Sequence, residues 1–183
     1  MDRILILDRS GSMETAWDDT IGGFNAFVNE QKEFGGTLTL VQFDHEYLVS
    51  YDKKLIGDVE PLTRQTFQPR GATALFDAIG KAIKGVQSGT PTVIIFTDGH
   101  ENASREYTKA HIKDLIEQRT KDGWTFVYLG ANQDAFDVGA GIGIGAGQTM
   151  NYDAARTPEA FTRLSTALSA QASGQTQTVE LSP

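Results

Sequence analysis

The chain has 183 residues, with 16 Lys and Arg against 24 Asp and Glu, a formal net charge of −8, and no cysteine. A chain of this size buries roughly 70% of its unfolded surface without covalent staples, and the missing cysteines exclude disulfide scaffolds, thiolate metal sites and thiol nucleophiles. The excess of acidic residues disfavours nucleic acid as a partner, because affinity for a phosphate backbone depends largely on Lys and Arg.

No apolar run approaches the roughly 18 residues that a membrane-spanning helix needs. The opening MDRILILD enters a strand-like run at once and lacks the longer apolar region and cleavage site of a signal peptide. We therefore expect a cytoplasmic protein, of a bacterium or a phage-infected cell, that makes no membrane contact.

Strands and helices alternate from the first residues onward. Residues 3–8 form an apolar run typical of a strand buried on both faces, and the alternating run 37–43 predicts a second strand. The apolar residues between them recur at helical spacing. Residues 46–51 follow closely enough to form a hairpin with the second strand, which predicts an antiparallel edge.

The middle of the chain continues this alternation. The segment 52–70 has no sustained period and predicts mostly loop, with one short helical turn near Ile56. A helix is predicted over 75–86, where apolar residues share one stripe. Apolar runs then predict strands at 92–97 and 124–129.

The last third of the chain adds two helices and a tail. A helix before Gly123 has basic residues in its last turn, as the helix dipole favours. Thr157–Pro158 marks the start of a final helix that extends to residue 172. We expect one domain over 1–172 and a polar, flexible tail over 173–183.

This order of elements predicts an α/β fold with a mostly parallel sheet and helices on both faces. In such sheets, ligands bind at the carboxyl ends of the strands, near the point where the strand order reverses. That edge of the sheet is where candidate site residues are sought.

Oxygen-bearing side chains are concentrated at this edge. Asp8, Ser10 and Ser12 follow the first strand at alternate positions, so they point to one side. A later strand ends at Asp98, and Thr73 directly precedes a helix. Each piece alone is ordinary turn or cap chemistry. Together they predict a site for a hard divalent ion, Mg²⁺ in the first place, with Mn²⁺ or Ca²⁺ also compatible.

Three segments carry a family resemblance. The stretches ILILDRSGSM, GATALFDAI and VIIFTDG closely resemble those of a von Willebrand factor type A (vWA) domain with a metal-ion-dependent adhesion site (MIDAS). The resemblance spans residues 3–143, and the stretch YLGANQDAFDVGAGIGI is similar to intracellular bacterial or phage members. It implies a three-layer, Rossmann-like doubly wound sheet of order 3-2-1-4-5-6 in which strand 3 is antiparallel.

The resemblance also implies roles for individual residues. Ser10 and Ser12 would contact the ion, Thr73 would join in the ligand-competent state, and Asp8 and Asp98 would bind it directly or through water. The remaining position would accept an Asp or Glu of a partner protein. Intracellular members often act as adaptors or in assembly, with ATPases among their partners. The residues themselves do not indicate the partner or the oligomeric state.

A second function was weighed against this binding module. A metal-dependent phosphohydrolase or phosphotransferase would use Asp8 as its nucleophile and Asp98 as a metal ligand. Ser10 stands where the Asp-x-Asp pattern of such enzymes would supply an acid/base, and no lysine is near either motif. We expect no catalytic turnover.

Residues around the motifs are candidates for a partner-binding rim. Met13 and Trp17 follow the first motif, and Gly99, His100 and Glu101 follow the last one. For Trp17, packing against the sheet edge is the more common outcome.

Two further patterns are not expected to carry chemistry. Asn102–Ser104 matches a glycosylation sequon, expected to be silent, in a loop beside the ion. The glycine run 139–147 begins too far from a strand to be a dinucleotide-binding loop.

Overall fold

The computed structural model describes residues 1–131 and 134–181, and within these ranges the chain forms a six-stranded sheet flanked by helices on both faces. The strands are β1 Asp2–Asp8, β2 Thr37–Phe43, β3 Tyr47–Leu55, β4 Thr92–Thr97, β5 Thr125–Ala131 and β6 Thr149–Tyr152. The helices are α1 Trp17–Gln31, α2 Leu75–Gly85, α3 Lys109–Lys121, α4 Ala135–Gly141 and α5 Thr157–Ala172.

The sheet has the order β3-β2-β1-β4-β5-β6, which confirms the predicted strand order. β2 and β3 pair antiparallel, and the other neighbouring strands pair parallel. The strand order reverses between β1 and β4, where Leu7 pairs with Phe96. The carboxyl ends of these two strands therefore meet at the switch point where ligands are expected.

Two elements differ from the residue-based prediction. β3 continues to Leu55, well past the predicted hairpin, and ends in a single helical turn at Ile56–Asp58. β6 has four residues, too few for a recognisable period, and only the six-stranded order implied by the family resemblance anticipated it. Within the stretch YLGANQDAFDVGAGIGI, residues 132–133 lie outside the described part of the chain.

The sheet separates two apolar cores, and β1 contributes to both by alternation. Leu5 and Leu7 belong to the core under α1 and α5, whereas Ile4 and Ile6 belong to the core under α2 and α3. Each fully buried side chain of this size contributes roughly 1.5–3 kcal/mol. A strand buried on both faces is therefore held firmly, which fixes the position of the residues that follow it.

The C-terminal helix α5 covers one face together with α1. The Phe161 ring stacks on Phe96 of β4 at a centroid distance of 4.4 Å, and it also contacts Phe27 of α1 at 6.1 Å. The buried Gln31 amide donates to the Ser165 hydroxyl and carbonyl. The added helix is thus an integral part of the core.

The segment after α5 is packed at two points, in contrast to the free tail that its polar composition predicts. Val179 and Leu181 are buried in the core under α1 and α5. The Leu181 amide donates to the Gly147 carbonyl at 2.8 Å, and the Gln148 side chain donates to the Val179 carbonyl. Residues 182–183 of the predicted tail lie outside the described ranges.

No helix among the described residues is both long and apolar enough to cross a bilayer.

Candidate metal centre

Five side chains from three separate segments meet at the carboxyl ends of β1 and β4. Asp8 is the last residue of β1, and the chain then enters a 3-10 turn at Gly11–Ala16. Asp98 directly follows β4. Thr73 comes from the loop before α2. The parallel order of the sheet is what brings residues so distant in sequence to one place.

The side-chain oxygens of this cluster lie within hydrogen-bonding distance of one another. The Ser10 and Ser12 hydroxyl oxygens are 3.0 Å apart, and the Ser12 hydroxyl donates to Asp98 Oδ1 at 2.6 Å. A methyl group placed on Gly99 would lie 2.8 Å from Thr73 Oγ1, 3.3 Å from Ser12 Oγ and 3.4 Å from Ser10 Oγ. All three hydroxyls therefore surround one small volume next to Gly99.

Asp8 is fully buried beneath the hydroxyls and is held from two sides. Its Oδ1 accepts from the Ser10 amide at 2.6 Å, and its Oδ2 accepts from the Thr97 hydroxyl at 2.5 Å. Burial raises the pKa of Asp8 to about 6, although the Thr97 and Ser10 hydrogen bonds oppose this shift. A neighbouring cation would reverse the cost of the buried charge.

Asp98 is slightly more accessible, with 8% of its surface exposed. Burial also raises the pKa of Asp98, and the hydrogen bond from Ser12 opposes the rise. Both carboxylates of the cluster are thus held where water stabilises their charge poorly. Such a pair favours the presence of a positive ion.

The donor set fits a hard divalent cation. An octahedral ion with oxygens at about 2.1 Å places adjacent ligands about 3 Å apart, which is the separation of the Ser10 and Ser12 hydroxyls. Among the described residues, no group of three His, Asp or Glu side chains is placed to hold a metal. The site therefore combines two carboxylates with neutral hydroxyls and leaves much of a divalent charge uncompensated.

The loop that carries Thr73 is fixed against the loop after β1. The Gly11 amide donates to the Gly71 carbonyl at 3.1 Å, and the Ala74 amide donates to the Asp44 carbonyl at 2.8 Å. Gly71 has a φ of +70°, and a methyl group there would lie 2.2 Å from the His45 ring, so this position requires glycine.

An ion-pair group lies beneath the same loop. The Asp44 carboxylate, with no exposed surface, contacts the Arg9 guanidinium at 3.0 Å and the Arg70 guanidinium at 2.9 Å. The Arg70 amide also donates to the Arg9 carbonyl at 2.8 Å. These contacts connect the segments that follow β1 and β2 to the segment that contains Thr73.

The predicted partner-binding rim is wrong at Met13. Its side chain is fully buried in the core under α1 and α5, because the 3-10 turn rotates it inward. Trp17 is half-buried, as its more common role predicted: its indole N–H donates to the Phe67 carbonyl at 2.7 Å, and the Arg64 guanidinium covers the ring. Neither side chain is free to meet a partner.

The residues after Asp98 divide into two kinds. His100 is exposed and remains a rim residue, whereas Gly99 is buried against the site hydroxyls. The Glu101 carboxylate accepts from the amides of Phe76, Ala103 and Ser104 and from the Ser104 hydroxyl. Glu101 therefore orders its own loop and is not available to a partner.

Sequence reasoning missed two residues that act on the site. Thr97 bonds Asp8, and its position directly before Asp98 was the only available signal. Asn102, noted only for its sequon, bonds the Thr73 amide. Both contacts join residues from different segments, so no local pattern reveals them.

This fold and site define a class of doubly wound α/β domains with a hydroxyl-rich, acidic site at the switch point of the sheet. The chain belongs to the von Willebrand factor type A domain family, whose model matches residues 4–101, more than half of its length. Domains of this family are generally metal-dependent modules for protein interaction and are generally not enzymes.

Solved structures show the same fold at low sequence identity. A vWF domain of the type V pili tip protein Mfa5 from Porphyromonas gingivalis has a TM-score of 0.65 and 11% identity, covering 92% of this chain and 94% of that one. The Plasmodium vivax TRAP protein, manganese-loaded, has a TM-score of 0.62 and 16% identity, with 88% and 70% covered.

The proximal thread matrix protein 1 (PTMP1) of the mussel byssus, with a zinc-occupied MIDAS motif, has a TM-score of 0.60 and 18% identity over 92% of this chain. This chain spans less than half of the mussel protein's length, 44–46%. A search of characterised proteins by sequence gave no match.

Proposed function

We propose that this chain binds a divalent ion, Mg²⁺ in the first place, through Asp8, Ser10, Ser12, Thr73 and Asp98, and that the ion binds an Asp or Glu side chain of a partner protein. Mn²⁺ and Ca²⁺ are compatible with the same oxygens. The observation that carries the proposal is the convergence of three hydroxyls within 3.4 Å of one point beside the two carboxylates.

The charge of the site supports capture of an outside carboxylate. An ion held largely by neutral hydroxyls retains positive charge and supplies a Lewis-acid position for an anionic oxygen. Ser12 is exposed, so one side of the cluster is open to solvent. Among the described residues, none is hydrogen-bonded to the Thr73 hydroxyl, which leaves that oxygen available to the ion.

The environment of Asp8 favours binding over the phosphotransfer alternative. A carboxylate nucleophile must reach its substrate, but Asp8 has no exposed surface and both of its oxygens already accept hydrogen bonds. The same arrangement suits a ligand that stays in place behind an ion. Two structures with this fold support metal occupancy, since one is manganese-loaded and another has zinc in its MIDAS motif.

The surroundings of the site indicate the chemistry of the partner. The exposed acidic residues Glu14, Asp18 and Asp19 follow the first motif and add negative potential. A partner surface that is acidic throughout would be repelled. We therefore propose a partner that offers one carboxylate within a neutral or basic surface, in an adaptor or assembly role that includes ATPases among its partners.

Ion uptake is tested by titrating Mn²⁺ into the EDTA-treated chain by calorimetry. The wild type is expected to bind one ion, and Asp8→Asn is expected to bind none. Asp122→Asn is the matched control, because Asp122 is an exposed residue at the opposite, amino-terminal end of β5. No uptake by the wild type, or equal uptake by Asp8→Asn, would reject the proposal.

Carboxylate capture is tested on the Mn²⁺-loaded protein by water-proton relaxation. A peptide with one glutamate is expected to displace water from the ion and lower the relaxation rate, whereas the same peptide with glutamine is not. Equal effects of both peptides, or of neither, would contradict an ion-bridged interaction.

A further inference from the structure

The segment 99–107, which follows Asp98 and is called here the clamp loop, holds Thr73 by its backbone. The Asn102 side-chain oxygen accepts from the Thr73 amide at 2.9 Å. In return, the Thr73 carbonyl accepts from the amides of Asn102 at 3.0 Å and Ala103 at 3.2 Å. Both polar groups of the Thr73 backbone are thus bonded to the clamp loop.

The clamp loop is itself fastened to the first turn of α2. The Glu101 carboxylate accepts from the Phe76 amide at 3.0 Å and from the Ser104 hydroxyl at 2.6 Å. The Asp77 carboxylate accepts from three successive amides at the end of the loop, each at 2.9 Å. As a result, Asp98, the clamp loop and the start of α2 form one connected unit.

We propose that Asn102 is a positioning residue of the ion site, which fixes the Thr73 hydroxyl relative to Asp98 and the two serines. This inference rests on the proposed function. Asn102 touches no ion ligand with its own polar atoms except through the Thr73 backbone, so it acts through Thr73 alone.

The space around Thr73 makes this positioning consequential. A methyl group on Gly99 would lie only 2.8 Å from the Thr73 hydroxyl oxygen, so this hydroxyl is confined on the side of the clamp loop. Ion coordination depends on ligand positions to within a few tenths of an ångström. Loss of the Asn102 bond releases one of the groups that hold Thr73 at this place.

The chain provides a matched control in a second asparagine that holds a loop residue in the same way. The Asn25 side chain accepts from the Leu62 amide at 2.7 Å and donates to the Leu62 carbonyl at 3.0 Å. Asn25 lies on α1 and its bonds go to a residue outside the ion site. Asn25→Ala therefore removes a comparable loop clamp that is unrelated to Thr73.

The first test compares the Mn²⁺ dissociation constants of these variants by calorimetry. Asn102→Ala is expected to weaken Mn²⁺ binding about 3- to 10-fold, the usual effect of one lost hydrogen bond. Asn102→Asp keeps the accepting oxygen and is expected to bind at least as tightly as Asn102→Ala fails to do. Asn25→Ala is expected to bind like the wild type. Equal affinity of Asn102→Ala and the wild type would overturn the inference and leave the proposed function standing.

The second test distinguishes positioning from general destabilisation. If Asn102 acts through Thr73, the double variant Thr73→Ala/Asn102→Ala binds Mn²⁺ no more weakly than Thr73→Ala alone. In the metal-free protein, Asn102→Ala is also expected to accelerate hydrogen exchange at the Thr73 amide. Additive losses in the double variant, or unchanged exchange, would refute the role of Asn102. A wild type that takes up no Mn²⁺ would reject the proposed function itself.

Discussion

Replacing Asp8 by asparagine is expected to stabilise the metal-free protein while it removes ion binding. The substitution keeps the shape of the side chain and removes its charge. Its oxygen can still accept from the Ser10 amide, and its NH₂ can donate to the Thr97 oxygen. The Thr97 hydroxyl can then direct its own proton to the Gly99 carbonyl, 3.2 Å away.

The size of the effect follows from the pKa of Asp8, which burial raises from 3.8 to about 6. Each unit of difference between the folded and unfolded pKa corresponds to about 1.4 kcal/mol, so ionised Asp8 costs the fold about 3 kcal/mol at most. Because the folded state holds this proton more tightly, the cost is absent below about pH 4, grows between about pH 4 and 6, and is constant above that range.

The assay is urea unfolding followed by circular dichroism, with EDTA at several pH values. At pH 7.5, Asp8→Asn is expected to unfold with a free energy about 1–3 kcal/mol higher than the wild type, and the difference should vanish near pH 4. With Mn²⁺ at about 100 times its dissociation constant, the wild type should gain about 2.7 kcal/mol and the variant nothing.

Two results would refute this reasoning. A variant that is less stable than the wild type in EDTA at pH 7.5 would show that ionised Asp8 is not costly in the fold. Equal stabilisation of both proteins by Mn²⁺ would show that Asp8 takes no part in holding the ion.

Three further predictions follow from the site and the core. The Mn²⁺ affinity of the wild type should fall about tenfold per pH unit below about pH 6, because protonated Asp8 must release its proton to the incoming ion; affinity that is flat down to pH 4.5 in calorimetry would contradict this. Gly99→Ala should weaken Mn²⁺ binding about tenfold or more, because its methyl group meets the Thr73 hydroxyl at 2.8 Å, whereas Gly57→Ala, with nothing within 4 Å, should bind like the wild type. Phe161→Ala should lower the free energy of unfolding by about 3–5 kcal/mol, because its buried ring joins α5 to the sheet, and a loss below 1 kcal/mol in urea would show that α5 is not part of the core.

The sequence by itself determined most elements of the fold. The apolar run of β1 and the stripe of α2 are patterns set by neighbours within a few residues, and the structure has both at the predicted places. The hairpin of β2 and β3 was predicted for the same reason, since a short connection leaves few alternatives. The order of oxygen-bearing residues after β1 and β4 also pointed to the switch point before any coordinates were used.

The tertiary structure decided which groups surround the site. The hydrogen bonds Ser12–Asp98 and Thr97–Asp8 join residues 86 and 89 positions apart, and the Thr73–Asn102 bond spans 29 positions. Secondary-structure periodicity contains no information on such pairs, because they depend on how strands are ordered and how loops cross between them.

The errors of the sequence reading have the same origin. Met13 was placed on the rim because it follows an exposed motif, but the 3-10 turn points it into the core. Glu101 was assigned to a partner, but its carboxylate is used within the clamp loop. Local sequence indicates which side chains can do chemistry, whereas the direction in which each one points is fixed only when the whole sheet and its loops are assembled, since that is when the competing donors and apolar surfaces come within reach.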